Sequence, residues 1–248
     1  MNSFHTISVV IPAKDEQENI SELIAEIFNA IQPFSSAEII VVDDGSTDNT
    51  FTVAQTTAQT LNCQGQFIRH SQCMGQSSAL KTGIQYAEGD CIVTIDGDGQ
   101  NDPADIPILL ERAFAQQATD FCVTGYRHQR RDTCWKRFQS RLANCVRSLF
   151  LKDGVADTGC GLKVFPKKTF EKLPWFNHAH RFIPALIKGV GGDIEVVKVN
   201  HRQRHHGKSK YNAWNRAWAG IIDLFGVAWL LHRTKVTTIA EWKQTKPN

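Results

Sequence analysis

Two carboxylates with one residue between them follow a short apolar segment near the middle of the chain. Cys91 to Ile95 are apolar or β-branched, and Asp96 and Asp98 come directly after them. In an open α/β sheet, ligands collect at the carboxyl ends of strands, and alternate side chains on extended backbone share a face. We therefore expect Asp96 and Asp98 to converge on one divalent cation, with Gln100 supplying a further oxygen ligand. Such an ion could neutralise a diphosphate, which indicates nucleotide-sugar chemistry.

Two earlier segments also end in polar residues. The apolar run Ile7–Ala13 breaks into a polar turn that presents backbone groups and Glu16, as expected of a nucleoside pocket. The run Ala37–Asp44 ends in two acids before a glycine turn and a helix start capped by Ser46 or Asp48. Because another acid can already serve as the cap, we expect Asp44 to contact the nucleoside.

Other nucleotide and metal sites do not fit the sequence. An EF-hand starting at Asp96 would need a glycine where Asn101 stands and a bidentate glutamate where Pro107 stands. No G-x-G-x-x-G follows a strand and no G-x-x-x-x-G-K-[ST] occurs, which disfavours a dinucleotide fold and a P-loop.

The elements that position these residues alternate between strand and helix patterns. This alternation predicts βαβ units and a mostly parallel α/β sheet flanked by helices. The predicted strands are Ile7–Ala13, Ala37–Asp44, Gln66–His70, Cys91–Asp96, Asp120–Tyr126, Gly161–Phe165 and Asp193–Asn200. The predicted helices are Gln17–Ala30, Asp48–Gln59, Gly75–Ala87, Pro103–Gln116 with Asp102 as N-cap, Thr133–Phe150, His180–Val190 and Tyr211–Arg233.

Bulk composition sets broad limits. The chain has 248 residues, 42% of them hydrophobic and 21% charged, and a net charge of +3 that is too small to indicate nucleic acid. Basic residues cluster at 127–147 and 198–210. The seven cysteines show no metal-ligand spacing and fit a reduced cytosolic setting. We expect no signal peptide and no conventional transmembrane helix.

The C-terminal segment 211–248 is expected to form amphipathic helices. It is rich in Trp and aliphatic residues, yet Asp223 interrupts it and Arg216 and Arg233 bracket its central part. Three uses stay open: an interfacial helix on the cytoplasmic leaflet, a core helix that closes the domain, and a dimer interface.

The motifs together resemble family 2 glycosyltransferases with a GT-A fold, and among them dolichyl-phosphate mannose synthases and bacterial polyprenyl-phosphate glycosyltransferases. The resemblance covers about 210 residues and rests on these segments: Val10–Pro12, Val42–Asp48, Met74–Gly83, Asp96–Pro103, Asp157–Lys163 and Arg204–Tyr211. It implies one GT-A domain over residues 1–210. Residues 1–116 would bind the nucleotide-sugar and residues 117–210 the acceptor.

The resemblance implies an inverting, metal-dependent enzyme. It would move a sugar from GDP-mannose or a UDP-sugar to undecaprenyl or dolichyl phosphate, as a peripheral protein on the cytoplasmic face of the membrane. Mg²⁺ or Mn²⁺ would be bound by Asp96, Asp98 and Gln100. The expected donor-binding residues are Pro12, Ala13, Glu16, Asp44, Gln76, Asp96, Gly97 and Asp98. The residues expected to hold the acceptor phosphate are Arg127, Ser140, Arg141, Arg204, Ser209 and Lys210. The expected catalytic set is Asp96, Asp98, Arg127, Arg141 and Arg204.

The acceptor chemistry leaves alternatives. A phosphate monoester is largely ionised near neutral pH, so it needs cationic donors such as arginine rather than a strong base. Asp157 could be a base or could orient a basic side chain. A family 2 enzyme of cell-envelope polysaccharide synthesis that acts on a saccharide hydroxyl would need such a base. A non-catalytic nucleotide-sugar-binding scaffold is the third hypothesis, and Asp96, Asp98 and Gln100 disfavour it.

Overall fold

The computed structural model describes residues 6–34, 36–127, 147, 150–151, 153–203 and 213–234. The predicted helix Thr133–Phe150 falls almost entirely outside these ranges, as do the predicted site residues Ser140, Arg141, Arg204, Ser209 and Lys210. Within α7, defined below, side chains are described from residue 220 onward.

Strands and helices alternate through the first half of the chain, as the sequence predicts. The strands are β1 (Ile7–Ala13), β2 (Ala37–Asp43), β3 (Gly65–Arg69), β4 (Cys91–Thr94), β5 (Phe121–Arg127), β6 (Lys163–Pro166) and β7 (Asp193–Val199). The helices are α1 (Ile20–Ile31), α2 (Thr50–Thr60), α3 (Gln76–Tyr86), α4 (Ile106–Ala115), α5 (Lys167–Glu171), α6 (Ile183–Gly189) and α7 (Ala213–Arg233). Short 3₁₀ turns at Pro103–Asp105 and Ala179–Arg181 precede α4 and α6.

The described strands form one mixed sheet in the order β3-β2-β1-β4-β6-β5-β7. Strand β6 runs antiparallel to both β4 and β5, and all other neighbouring pairs are parallel. The carboxyl ends of the six parallel strands therefore share one edge of the sheet, and the chain enters β6 from that same edge. Ligand sites in open α/β sheets lie at this edge.

Apolar layers cover both faces of the sheet. Neighbouring residues of β1 such as Val9 and Val10 point to opposite faces, and both are fully buried. Val9 belongs to the apolar cluster that includes residues of α1 and α4, whereas Val10 belongs to the cluster that includes residues of α3, α6 and α7. Burial on both faces explains why the central strands β1, β2 and β4 are mostly continuous apolar runs rather than alternating ones.

Several predicted boundaries differ from the observed ones for identifiable reasons. The strand predicted over Cys91–Asp96 ends at Thr94, so Asp96 lies beyond the strand and Asp98 lies in the turn that follows. The helix predicted over His180–Val190 divides, because Pro184 sits in the first turn of α6, where a missing N–H is tolerated. Helix α5 was not predicted. Asp102 caps the turn before α4 as predicted, accepting from the Ala104 N–H at 3.0 Å.

Candidate active site at the carboxyl edge of the sheet

Asp96 is the centre of the site, just beyond the end of β4. Its side chain is only partly buried, and Oδ1 accepts a 2.7 Å hydrogen bond from the Gln76 amide at the start of α3. Loss of solvation, followed by the nearby charge of Asp98, raises the pKa of Asp96 to about 6, although Lys163, Arg127 and Gln76 oppose the rise. Two neighbouring carboxylates, one of them poorly solvated, are a suitable pair of ligands for a divalent cation.

Asp98 and Gln100 continue the same loop. The Gln100 N–H donates to Asp98 Oδ1 at 3.1 Å, which closes a tight turn and leaves both side chains partly exposed. Gly97 lies so close to β1 that a Cβ there would stand 2.9 Å from the Pro12 carbonyl oxygen. A glycine at this position therefore lets the Asp96–Asp98 turn rest directly on the end of β1.

The reversed strand β6 delivers a second segment against Asp96. Thr94 donates its hydroxyl to the Gly161 carbonyl at 2.7 Å. A Cβ on Gly161 would lie 2.3 Å from both Cγ and Oδ2 of Asp96, far inside van der Waals contact. The position of the Asp96 carboxylate thus depends on the absence of a side chain at Gly161.

Lys163 is a cation that sequence reasoning did not assign to the site. It is 3% exposed, and its ammonium donates to the Cys160 carbonyl. Its charge favours the ionised form of Asp96. A lysine inside the apolar strand β6 is the signal that could have marked it, since lysine is almost never fully buried without a partner.

Arg127 ends β5 and is held by Asp157. The guanidinium makes a bidentate pair, with Nε to Oδ2 at 2.6 Å and Nη2 to Oδ1 at 2.7 Å. The two side chains are 15% and 5% exposed. Burial alone would lower the pKa of Arg127, but its hydrogen bonds and charge pairing with Asp157 raise it above its ordinary value. In this geometry Asp157 orients a basic side chain, which was one of its two predicted roles.

Asp44 fixes the loop that leads into α3. Its buried carboxylate accepts from the N–H groups of Met74 and Gly75, both at 2.8 Å, and lies 2.8 Å from His70 Nδ1 and 3.3 Å from Cys73 Sγ. Burial would raise the pKa of Asp44, yet these hydrogen bonds hold it below its ordinary value. Because Gln76 follows this loop, Asp44 helps to place the amide that holds Asp96. A nucleoside contact by Asp44 stays a prediction.

Three other predicted donor-binding residues lie at the end of β1 or just beyond it. Pro12 and Ala13 are buried, and the Ala13 carbonyl accepts from the Asp44 N–H at 2.9 Å. Glu16 is 9% exposed and accepts from the Asn19 amide at 2.7 Å. These residues border the same sheet edge as Asp96, as predicted, and their contact with a donor stays a prediction.

The chain leaving β7 runs along the loop of Asp98 and Gln100. His201 forms an isolated antiparallel bridge with Asn101, and the Arg202 N–H donates to the Gln100 carbonyl at 2.9 Å. Sequence reasoning placed Arg202 only within a basic run, because its partners are distant in the chain. The predicted acceptor residue Arg204 follows two positions later and lies outside the described residues.

Helix α7 packs one face on the domain and exposes the other. Leu224 and Val227 are buried, and Asp223 pairs with His178 across 2.9 Å. The outer face carries an apolar stripe, with exposed fractions of 46–68%, formed by Ile221, Ile222, Phe225 and Trp229. In the described part of the chain, no helix combines the length and apolar character needed to cross a bilayer.

Few of the described side chains are grouped so that they could bind a metal ion. Among the described residues, no cluster of three or more His, Cys, Asp or Glu side chains could enclose a metal ion. The predicted set of two carboxylates and the Gln100 amide is consistent with this finding. Mg²⁺ is commonly held by one or two carboxylates together with substrate phosphates and water, so the residues fit such an ion.

Solved structures share this fold at low sequence identity. Glucosyl-3-phosphoglycerate synthase from Mycobacterium tuberculosis, crystallised with Mg²⁺ and uridine diphosphate, is 20% identical with a TM-score of 0.68, covering 94% of this chain and 81% of that one. Mannosyl-3-phosphoglycerate synthase from Rubrobacter xylanophilus is 16% identical with a TM-score of 0.68, covering 92% and 74%. The predicted GT-A fold is confirmed by these neighbours.

Curated relatives are more similar in sequence. An undecaprenyl-phosphate 4-deoxy-4-formamido-L-arabinose transferase from Pseudomonas paraeruginosa is 34% identical over 84% of this chain, which spans 60% of that protein. Dodecaprenyl-phosphate galacturonate synthase from Rhizobium johnstonii is 31% identical over 91% of this chain and 67% of its own length. The family described as glycosyl transferase family 2 matches residues 8–174. The resemblance seen in the motifs is therefore confirmed, and the chain belongs to glycosyl transferase family 2.

Proposed function

We propose that this chain is a glycosyltransferase that moves a sugar, with inversion, from a nucleotide-sugar to a polyprenyl phosphate. The relatives in Pseudomonas paraeruginosa and Rhizobium johnstonii are named for undecaprenyl- and dodecaprenyl-phosphate products. The donor is a GDP- or UDP-sugar, held along the ends of β1 and β2 by Pro12, Ala13, Glu16 and Asp44.

The carboxylates at the end of β4 would hold Mg²⁺ or Mn²⁺. Asp96, Asp98 and Gln100 supply oxygen ligands, and related folds have been crystallised with either ion and uridine diphosphate. When bound, such an ion acts as a Lewis acid on the leaving diphosphate. Gln76 holds one oxygen of Asp96 at 2.7 Å and so restricts which lone pairs face the donor.

The bidentate pair between Arg127 and Asp157 is the observation that carries the acceptor assignment. A hydroxyl acceptor needs a carboxylate base, and Asp157, the predicted candidate, has both oxygens engaged by one guanidinium. A phosphate acceptor is already anionic near neutral pH. It needs a fixed cation, and Arg127 held at this edge supplies one. Arg141 and Arg204 are proposed to complete the phosphate site.

The apolar stripe of α7 is proposed to meet the lipid surface on the cytoplasmic side. Its members Phe225 and Trp229 are 55% and 62% exposed, while the opposite face of the helix is buried in the domain. An amphipathic helix with aromatic residues on its outer face is suited to lie in the headgroup region. This placement would bring a lipid-linked phosphate to the carboxyl edge of the sheet from the membrane.

A donor panel with a lipid acceptor tests the proposal. Purified protein is incubated with a short-chain polyprenyl phosphate, labelled GDP- and UDP-sugars, and Mg²⁺ or Mn²⁺, and labelled lipid is measured. Asp98→Ala should reduce transfer at least about 100-fold because it removes a proposed cation ligand. Asp193→Ala is the matched control, since Asp193 is exposed at the start of β7, at the opposite edge of the sheet.

Three outcomes would refute the proposal. Near-normal turnover in Asp98→Ala would remove the assigned site. Transfer to a saccharide hydroxyl, with lipid phosphate inert and Asp157 indispensable, would establish the polysaccharide alternative instead. Donor binding without transfer or hydrolysis for any donor and acceptor would indicate a binding protein.

A further inference from the structure

The segment that leaves β7 is fastened along the loop that carries the proposed cation ligands. Asn200 donates its N–H to Asp105 Oδ2 at 2.6 Å and its amide to Oδ1 at 3.3 Å. One residue later His201 bridges Asn101, and the next N–H, of Arg202, reaches the Gln100 carbonyl at 2.9 Å. Three consecutive residues thus follow the loop in register.

The Arg202 side chain adds a clamp across three parts of the fold. Its Nη1 lies 2.8 and 2.6 Å from the two carboxylate oxygens of Glu26 on α1, and its Nη2 lies 2.7 Å from Asp102 Oδ1. Burial would lower the pKa of Arg202, but hydrogen bonds and charges from Glu26 and Asp102 raise it above its ordinary value, so the clamp stays charged. Asp102 also caps the turn before α4.

Arg202 contacts the loop on both sides of Asn101. Arg202 holds Gln100 through its backbone and Asp102 through its side chain, and the two residues flank the fully packed Asn101, which is 3% exposed. The Gln100 N–H in turn donates to Asp98. The Arg202 side chain thus contacts the loop at Asp102, two positions after the proposed ligand Gln100, and its backbone N–H contacts Gln100 itself.

We propose that Arg202 is a positioning residue that fixes the cation-binding loop Asp98–Asp102. The loop ligands would be preorganised by contacts to α1 and to the end of β7, as outer contacts of metal ligands commonly are. The proposal rests on the proposed function for its effect on transfer, whereas its effect on the loop is independent of any substrate.

The expected effect is on the loop rather than on global stability. An ion pair that is about one-third exposed is screened by solvent and contributes little to unfolding. Removal of contacts to metal ligands, by contrast, typically weakens metal affinity 10- to 100-fold. A purely structural role for Arg202 would lower the melting temperature without a selective change in cation binding.

Arg202→Met is the test variant, because methionine keeps much of the length of the side chain without its charge. Mn²⁺ affinity in the presence of uridine diphosphate is measured by calorimetry, and amide exchange of residues 98–105 is followed in the metal-free protein. We expect about 10-fold weaker Mn²⁺ binding and faster exchange in this segment, with partial rescue by Arg202→Lys. Glu26→Gln, which keeps the Asp102 contact, should cause a smaller change of the same kind.

Lys172→Met is the matched control, since it removes an exposed ion pair with Asp120 at the far edge of the sheet. Wild-type Mn²⁺ affinity and exchange in Arg202→Met would overturn the inference, whatever happens to transfer. If no sugar transfer is found for the wild type, the proposed function fails, but the loop measurements still decide the role of Arg202.

Discussion

Gly161→Ala should inactivate the enzyme by displacing a single carboxylate. The added Cβ would lie 2.3 Å from Cγ and Oδ2 and 2.5 Å from Oδ1 of Asp96. Two carbon atoms in contact are separated by roughly 3.5 Å. Either the Asp96 carboxylate or the backbone that leads into β6 must therefore move by about 1 Å. Rotation of the Asp96 side chain away from this Cβ would break the 2.7 Å hydrogen bond from the Gln76 amide to Asp96 Oδ1.

The expected magnitudes separate activity from stability. Overpacking by one methyl group costs about 1–3 kcal/mol, which a domain of this size tolerates. A misplacement of about 1 Å in a reacting geometry, however, can cost roughly 100-fold in rate. We therefore expect Gly161→Ala to fold, with a modestly lower melting temperature, and to lose about two orders of magnitude in kcat/KM.

Lipid-product formation and thermal unfolding, measured on the same samples, test this reasoning. Gly220→Ala is the matched control, because a Cβ at Gly220 in α7 meets no atom within 4 Å. An alanine in the middle of a helix should if anything stabilise it, by about 1 kcal/mol relative to glycine. Wild-type turnover in Gly161→Ala would show that the close approach to Asp96 does not govern its position, and would refute the argument.

Three further predictions concern the pH response, the acceptor site and the lipid surface. Mn²⁺ affinity should fall as pH drops through about 6, because the pKa of Asp96 is raised to about 6 and the carboxylate must be ionised to bind; equal affinities by calorimetry at pH 5 and 7 would contradict this. Asp157→Asn should raise the KM for lipid phosphate and, by leaving the largely buried Arg127 without its charged partner, lower the free energy of unfolding by about 3 kcal/mol; a fall in kcat at unchanged KM would indicate a base. Replacing the exposed Ile222 and Trp229 by Asp should reduce cosedimentation with lipid vesicles about tenfold without lowering the melting temperature, and unchanged binding would remove α7 from the lipid surface.

The family could be recognised from the sequence, and a ligand set could be proposed, because both depend on local chemistry. The apolar run before Asp96, the i, i+2 spacing to Asp98 and the following Gln100 are contiguous, so no knowledge of tertiary contacts was needed to propose them. The alternation of strand and helix patterns likewise predicted a mostly parallel sheet, because two-sided burial imposes continuous apolar runs on its strands.

The ends of strands and helices were predicted less well, because an apolar run can continue past the last residue that pairs in the sheet. The run Cys91–Ile95 remains apolar beyond Thr94, yet β4 pairs with its neighbours only as far as Thr94. Asp98 therefore follows Asp96 through a turn whose Gly97 lies against Pro12, and not along the two-residue repeat of a strand. Cation binding by Asp96, Asp98 and Gln100 stays a prediction, whereas the strand that was expected to present the two carboxylates was wrong, because it ends at Thr94.

The family, the alternating architecture and the carboxylates beside Gln100 follow from the sequence without the fold, since each of these is encoded in contiguous residues. Only the fold shows that β6 is reversed, so that Gly161 lies against Asp96. It also shows that Asp157 pairs with Arg127 and that Arg202 reaches Glu26. The last of these contacts joins residues 176 positions apart, and the others span 65 and 30 positions. Contacts of this kind depend on which strand ends meet at the sheet edge, a property of strand order that no local pattern specifies.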